Sequence, residues 1–110
     1  MTKASDKRLL EVFKEHAILH GEFTLSSGLK SSYYFDGRLV TLWPEGAYLI
    51  GKKIFDILKG TGAEVVGGMT IGADPMVSAV AVVSHLEGQP IPAFIVRAEM
   101  KGHGTQKRIE

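Results

Sequence analysis

The chain of 110 residues contains no cysteine, which excludes disulfide bonds and thiolate metal sites. Its formal net charge is only +1, which is too small to favour non-specific binding to nucleic acid or to a membrane surface. No apolar run approaches the ~20 residues that a membrane-spanning helix needs, and the polar start of the sequence is not typical of a signal peptide. These absences favour one ordinary globular domain, for which we expect a cytoplasmic location.

Several familiar catalytic patterns are also missing. The glycine-rich segment 68–74 lacks the Gly-Lys-Ser/Thr ending of a phosphate-binding P-loop. No metal-ligating triad, carboxylate pair or Ser-His-Asp set stands out among the remaining residues. The sequence therefore predicts no metal site built from protein side chains alone.

The first half of the sequence predicts two helices and a β-hairpin. An apolar stripe with helical spacing predicts a helix over 6–20. Short apolar runs at 23–25 and 33–35 predict two strands around the turn Ser26-Ser27-Gly28. A second helix is predicted over 44–59, because a proline begins it and a glycine follows it.

The second half predicts a parallel βαβ unit. Strands are predicted over 64–68 and 91–96, joined by a helix that Asp74 caps and that runs from Pro75 to about Leu86. The fold class is therefore α/β. A doubly wound sheet usually has about five strands, so we expect that the C-terminal part of the sheet is missing from these residues.

Phosphate-binding features follow both predicted parallel strands. The loop from Met69 to Ala73 leads into a helix N-terminus, and the segment after the second strand carries Arg97, Lys101 and His103. Since ligands of open α/β sheets bind beyond the carboxyl ends of the strands, both features point to one phosphorylated ligand. A plain strand-to-helix turn beside a solvated basic segment, or beside a weak nucleic-acid patch, remains an alternative.

Three segments resemble orotate phosphoribosyltransferases, with a spacing that fits over residues 5 to 110. They are Phe23-Thr24-Leu25-Ser26-Ser27-Gly28 with Ser32 to Arg38, then Val66 to Pro75, then Arg97 with Lys101-Gly102-His103-Gly104 and Arg108-Ile109-Glu110. The resemblance implies transfer of phosphoribosyl from phosphoribosyl pyrophosphate (PRPP) to orotate. The products would be orotidine monophosphate and pyrophosphate, with Mg²⁺ bound with PRPP, in pyrimidine biosynthesis.

The resemblance also implies a fold, namely a partial type I phosphoribosyltransferase (Rossmann-like) domain over 1–110. Residues 1–43 would form an N-terminal hood of helix and short strands, 44–96 the α/β core, and 97–110 the start of a mobile catalytic loop. The family's PRPP motif, two acidic residues and a Thr-Thr-Gly turn, occurs nowhere in the sequence. We therefore expect these 110 residues to be a portion that is inactive or nearly so by itself.

Site residues follow from the same resemblance. Tyr34 and Phe35 would flank orotate. The diphosphate of PRPP would be held by Thr70, Gly72, Ala73, Arg97, Lys101 and His103, the catalytic pair being Lys101 and His103. Their loop, 97–110, would close over the site of a neighbouring subunit, which implies a homodimer.

Three features depart from the family's usual pattern. Ala98 stands where many members have a basic residue, Ser26 where some have a lysine, and Gly72-Ala73 leaves only main-chain donors in the diphosphate loop. Two other functions remain open at this point. One is a non-catalytic PRPP-sensing or partner-binding module on the same scaffold. The other is an unrelated α/β domain whose basic segment binds nucleic acid.

Overall fold

The computed structural model describes residues 3–99, 102–104 and 107–110. Within them the elements follow in the order α1 (Lys3–His16), β1 (Ile18–Thr24), β2 (Lys30–Phe35), α2 (Arg38–Thr41), α3 (Pro44–Leu58), β3 (Val66–Met69), α4 (Asp74–Leu86) and β4 (Ala93–Val96). An antiparallel hairpin, β1-β2, precedes a parallel pair, β3-β4. The predicted α/β class, with a helix and hairpin followed by a βαβ unit, is confirmed.

The hairpin begins earlier in the chain than its local pattern indicates. β1 and β2 pair antiparallel with Ile18 opposite Phe35, and the register shifts between His20 and Phe23. The predicted helix over 6–20 is therefore wrong at its C-terminal end, since 18–20 belong to the sheet. Cross-strand hydrogen bonds and aromatic neighbours outweigh the helical spacing here, as tertiary context commonly does. The predicted turn is confirmed, and its glycine takes a φ of +85°.

The three helices that follow one another around the hairpin share a core. Buried side chains from these helices and from the residue that follows α1 form it, namely Val12, Ala17, Val40, Leu49 and Ile50. On the surface, the Arg8 guanidinium of α1 donates two hydrogen bonds, of 2.8 and 2.7 Å, to the Glu45 carboxylate of α3. This pair fixes the hairpin-bearing part of the chain against α3.

The βαβ unit packs α4 between the parallel strands and α3. Val66 lies opposite Ala93 and Met69 opposite Val96, so the predicted parallel pairing is confirmed. A second buried cluster, Phe55, Val83 and Ile91, fills the space between α3, α4 and the start of β4. The prediction that Asp74 caps the helix is wrong. Ala73 is at the N-cap without a side-chain hydrogen bond, and Asp74 is the first residue of α4.

The end of the sequence returns to β4. The N–H of Arg97 donates to the carbonyl of Arg108 at 2.7 Å, and Ile95 and Glu110 exchange two hydrogen bonds of 2.8 Å. Segment 108–110 therefore runs antiparallel beside β4, and the two ends of the segment 97–110 are joined by main-chain hydrogen bonds. None of the helices in the described residues is long and apolar enough to cross a membrane.

Candidate functional site

The loops that follow β3 and β4 leave the sheet side by side. The Thr70 N–H, directly after β3, donates to the carbonyl of Val96 at 2.9 Å. Arg97, the next residue after β4, is therefore adjacent to the loop 70–73. Because both strands are parallel, their carboxyl ends share one edge, and the two loops begin side by side there, as the topology predicts.

The loop 70–73 has a compact main chain. The Ala73 N–H donates to the Met69 carbonyl at 3.1 Å, and the Asp74 N–H donates to Ile71 at 3.2 Å. A methyl group on Gly68 would lie 2.5 Å from the Cβ of Ala73, so the close approach of α4 to β3 needs a glycine there. Within the described residues, the N–H groups at 71 and 72 donate to no main-chain carbonyl. The loop thus has two N–H groups that can donate hydrogen bonds to an anion.

A cavity of about 540 Å³ lies between the loop 70–73 and the end of the hairpin. Its lining consists of Phe13, Tyr34, Phe35, Asp36, Gly37, Arg38, Thr41, Ile50, Ile71, Gly72 and Met76. Of the residues expected in the site, Tyr34, Phe35 and Gly72 share this cavity. Thr70 and Ala73 belong to the same loop but do not line the cavity.

Aromatic contacts hold the hairpin side of the cavity. Phe35 stacks on Phe13 of α1 with ring centroids 5.8 Å apart, and Tyr34 lies against Phe23 of β1 at 5.7 Å. Both Phe35 and Tyr34 remain about half exposed. Both residues line the cavity, and the positions of their rings are set by neighbouring rings.

Three polar residues in the lining were not predicted as site residues. The Asp36 carboxylate accepts hydrogen bonds from the Arg38 N–H at 3.1 Å and from its Nε at 3.3 Å. The Arg38 side chain holds the pKa of Asp36 below its ordinary value. Thr41 is buried, and its hydroxyl has no hydrogen-bond partner in the described part of the chain. Two sequence signals could have found Asp36 and Arg38, namely their place just after an aromatic strand and their place in the segment Ser32 to Arg38 that carries the resemblance.

The basic residues after β4 are placed unequally. Arg97 Nη2 lies 3.2 Å from Glu110 Oε2, and the Arg108 Nε donates to the Arg97 carbonyl at 3.0 Å. His103 is exposed. Lys101 lies outside the described residues, so the structure gives no position for it. Among the residues that are described, no group of three histidine or acidic side chains could hold a metal ion.

The similar curated proteins are orotate phosphoribosyltransferases. No family model matches the sequence. The chain is 49% identical over 104 residues to the orotate phosphoribosyltransferase of Nostoc sp., a match that covers 94% of this chain and 50% of that protein. It thus spans about half the length of the curated relatives it matches.

Solved structures give the same answer. A crystal structure of Mycobacterium tuberculosis orotate phosphoribosyltransferase in complex with Fe(III) dicitrate has a TM-score of 0.82 and 40% identity, covering 96% of this chain and 59% of that one. A structure of the same enzyme in complex with PRPP has a TM-score of 0.72 and 35% identity, covering 91% and 57%. The expected resemblance to the N-terminal portion of these enzymes is confirmed, and the fold is part of the type I phosphoribosyltransferase fold.

Proposed function

We propose that this chain contributes the N-terminal portion of an orotate phosphoribosyltransferase, a glycosyltransferase that makes orotidine monophosphate and pyrophosphate from orotate and PRPP. The cavity carries this proposal, because it joins an aromatic hairpin to a loop with free main-chain donors. A planar pyrimidine fits the first feature and a diphosphate fits the second. The similar enzyme that was crystallised with PRPP supports the choice of substrate.

Tyr34 and Phe35 form the orotate side of the proposed site. Their rings are anchored on Phe23 and Phe13 yet remain about half exposed, so a pyrimidine ring can cover them without repacking the core. Stacking on an aromatic side chain contributes about 1–3 kcal/mol per base in proteins that bind single-stranded nucleic acid. Loss of either ring should therefore act mainly on orotate binding.

The diphosphate side combines Arg97 with the loop of Thr70, Gly72 and Ala73, in which the N–H groups at 71 and 72 are the ones that donate to no main-chain carbonyl of the described residues. Negative charge accumulates on the leaving diphosphate as its bond to ribose breaks, and donors that are already in place stabilise it. His103 and Lys101 would add cations when their loop closes over the site, which also excludes water. The role of Lys101 rests on the resemblance alone.

Mg²⁺ and a second subunit complete the proposal. We propose that Mg²⁺ is bound with PRPP, as the resemblance implies, where it would neutralise part of the charge on the diphosphate oxygens. The resemblance implies that the loop 97–110 closes over the site of a neighbouring subunit, so we propose a homodimer, working in the cytoplasm.

The test uses the protein expressed from the complete gene. Orotate consumption should require both PRPP and Mg²⁺. Phe35→Ala should raise KM for orotate about tenfold while leaving KM for PRPP nearly unchanged. Lys101→Ala should lower kcat about 10- to 150-fold, and Lys107→Ala, the matched control in the same segment, should lower it much less.

Two outcomes would contradict the proposal. PRPP binding without any turnover would favour a PRPP-sensing or partner-binding module. Equal losses in Lys101→Ala and Lys107→Ala would show that the catalytic lysine has been assigned to the wrong position.

A further inference from the structure

Thr70 is held by three neighbouring elements. Its main chain continues β3, and its N–H donates to the Val96 carbonyl of β4 at 2.9 Å. Its hydroxyl Oγ1 lies 3.2 and 3.3 Å from the two carboxylate oxygens of Asp74, the first residue of α4. An ionised carboxylate only accepts hydrogen bonds, so the hydroxyl is the donor. The orientation of the Thr70 side chain is therefore set by α4.

The carboxylate of Asp74 has no capping role that would explain it. The N-cap of α4 is Ala73, which makes no side-chain hydrogen bond, while the Asp74 N–H donates to Ile71. A carboxylate is favoured near a helix N-terminus, but it repels an anion that binds at the same place. A carboxylate beside a diphosphate loop therefore disfavours diphosphate binding by its charge. The hydrogen bond that it accepts from Thr70 gives a structural reason for its presence.

We propose that Asp74 is a positioning residue of the diphosphate site, acting through Thr70. By accepting a hydrogen bond from the Thr70 hydroxyl, Asp74 fixes the first residue of the loop 70–73. It thereby also fixes the position of Gly72 in the cavity lining. The inference rests on the proposed function, because it assigns a purpose to the same loop. It goes beyond that function in naming a residue that need not touch either substrate.

Acceptor and charge can be separated at this position. Asp74→Asn keeps an oxygen that accepts the hydroxyl and removes the charge, whereas Asp74→Ala removes both. Thr70→Val removes the donor and keeps the side-chain shape. If Asp74 acts through Thr70, the double variant Thr70→Val/Asp74→Ala should be no worse than Thr70→Val alone, which is the signature of coupled residues.

The experiment measures KM for PRPP, KM for orotate, kcat and the equilibrium binding of inorganic pyrophosphate in the protein from the complete gene. We expect Asp74→Ala to raise KM for PRPP and weaken pyrophosphate binding about 2- to 10-fold, the effect of one hydrogen bond, with KM for orotate unchanged. Asp74→Asn should bind PRPP and pyrophosphate at least as well as the unaltered protein, because it keeps the acceptor and removes a charge that repels an anion. Asp6→Ala is the matched control, since it removes a carboxylate from the first turn of α1 that pairs with Lys53 at 3.0 Å, far along the chain from this loop.

Two results would overturn the inference while leaving the proposed function intact. One is additive losses in the Thr70 and Asp74 single and double variants. The other is an equal loss in Asp74→Asn and Asp74→Ala, which would make the charge responsible. If Asp74→Ala does not fold, the comparison of Asp74→Asn with Thr70→Val decides the point, since only the second breaks the hydrogen bond. Absence of PRPP binding and turnover in the unaltered protein would instead refute the proposed function.

Discussion

Gly51 lies where α3 and α4 approach most tightly, and Gly51→Ala should destabilise the fold. A methyl group there would lie 2.9 Å from the carbonyl oxygen of Ala79 and 3.0 Å from its carbonyl carbon and its Cβ. Two of these atoms belong to the main chain and cannot rotate away, so the helices must separate. Overpacking costs about 1–3 kcal/mol, while alanine gains about 1 kcal/mol over glycine in helix propensity. We therefore expect the free energy of unfolding to fall by about 1 kcal/mol, or Tm by about 4 °C.

Thermal and urea unfolding of the purified protein measure this change. Ser78→Ala, at an exposed position of α4, is the control, because it raises helix propensity without altering a contact between helices. Adding Ala79→Gly to Gly51→Ala should restore little stability, since it removes only one of the three crowded atoms. A Gly51→Ala protein as stable as the original, or more so, would refute the argument that main-chain contact limits the distance between α3 and α4.

Three further variants test other parts of the structure. Ser84→Ala should lower the free energy of unfolding by about 1–3 kcal/mol, because the buried Ser84 hydroxyl accepts the Ile91 N–H at 2.8 Å and the variant removes that acceptor. A loss below about 0.5 kcal/mol in urea titrations would contradict this. Thr41→Val should raise stability by about 1 kcal/mol, since the buried Thr41 hydroxyl has no hydrogen-bond partner among the described residues, and a lower Tm would show that the hydroxyl is satisfied. Hydrogen bonding from Arg8 lowers the pKa of Glu45 from its ordinary value of 4.5, so the pair stabilises the protein fully above that pH. This contribution disappears as the pH falls through the lower pKa of the folded state. Tm of Glu45→Gln should therefore fall less on acidification than Tm of the original protein, and parallel curves of Tm against pH would contradict this.

Helices with strong local signals could be predicted from the sequence almost to the residue. The segment 44–59 was predicted as a helix, and α3 spans Pro44–Leu58. A proline at its start, a regular apolar stripe, and Gly60 at a φ of +82° just beyond its end all act locally. Nothing distant competes with them, so the prediction needed no knowledge of the fold.

Elements that depend on distant partners could not be predicted in the same way. The start of β1 has helical spacing, yet Ile18 pairs with Phe35 across the hairpin. α2, with four residues, is too short to show a helical period. A strand that pairs seventeen positions away and a single helical turn both take their shape from tertiary contacts, which a local pattern does not contain.

The candidate site divides along the same line. Topology alone brought the loops after β3 and β4 together, because parallel strands end at one edge. The sequence could not show that Asp74 accepts the Thr70 hydroxyl instead of capping its helix, or that Glu110 returns to Arg97. Those contacts depend on the exact path of two loops, and opposite charges at many other positions would have matched equally well.

Two carboxylates lie near the loop 70–73, those of Glu110 and Asp74, and they differ in how they would affect the binding of an anion. The Arg97 and Glu110 side chains are 36% and 25% exposed, and an ion pair of this kind contributes about 1 kcal/mol or less. Under the proposed function, Arg97 would exchange Glu110 for a diphosphate oxygen at little cost. The Asp74 carboxylate instead accepts a hydrogen bond from a neutral hydroxyl of the loop itself, at 3.2 Å. We therefore expect the Thr70–Asp74 contact to persist when the proposed ligand binds and the Arg97–Glu110 contact to be replaced.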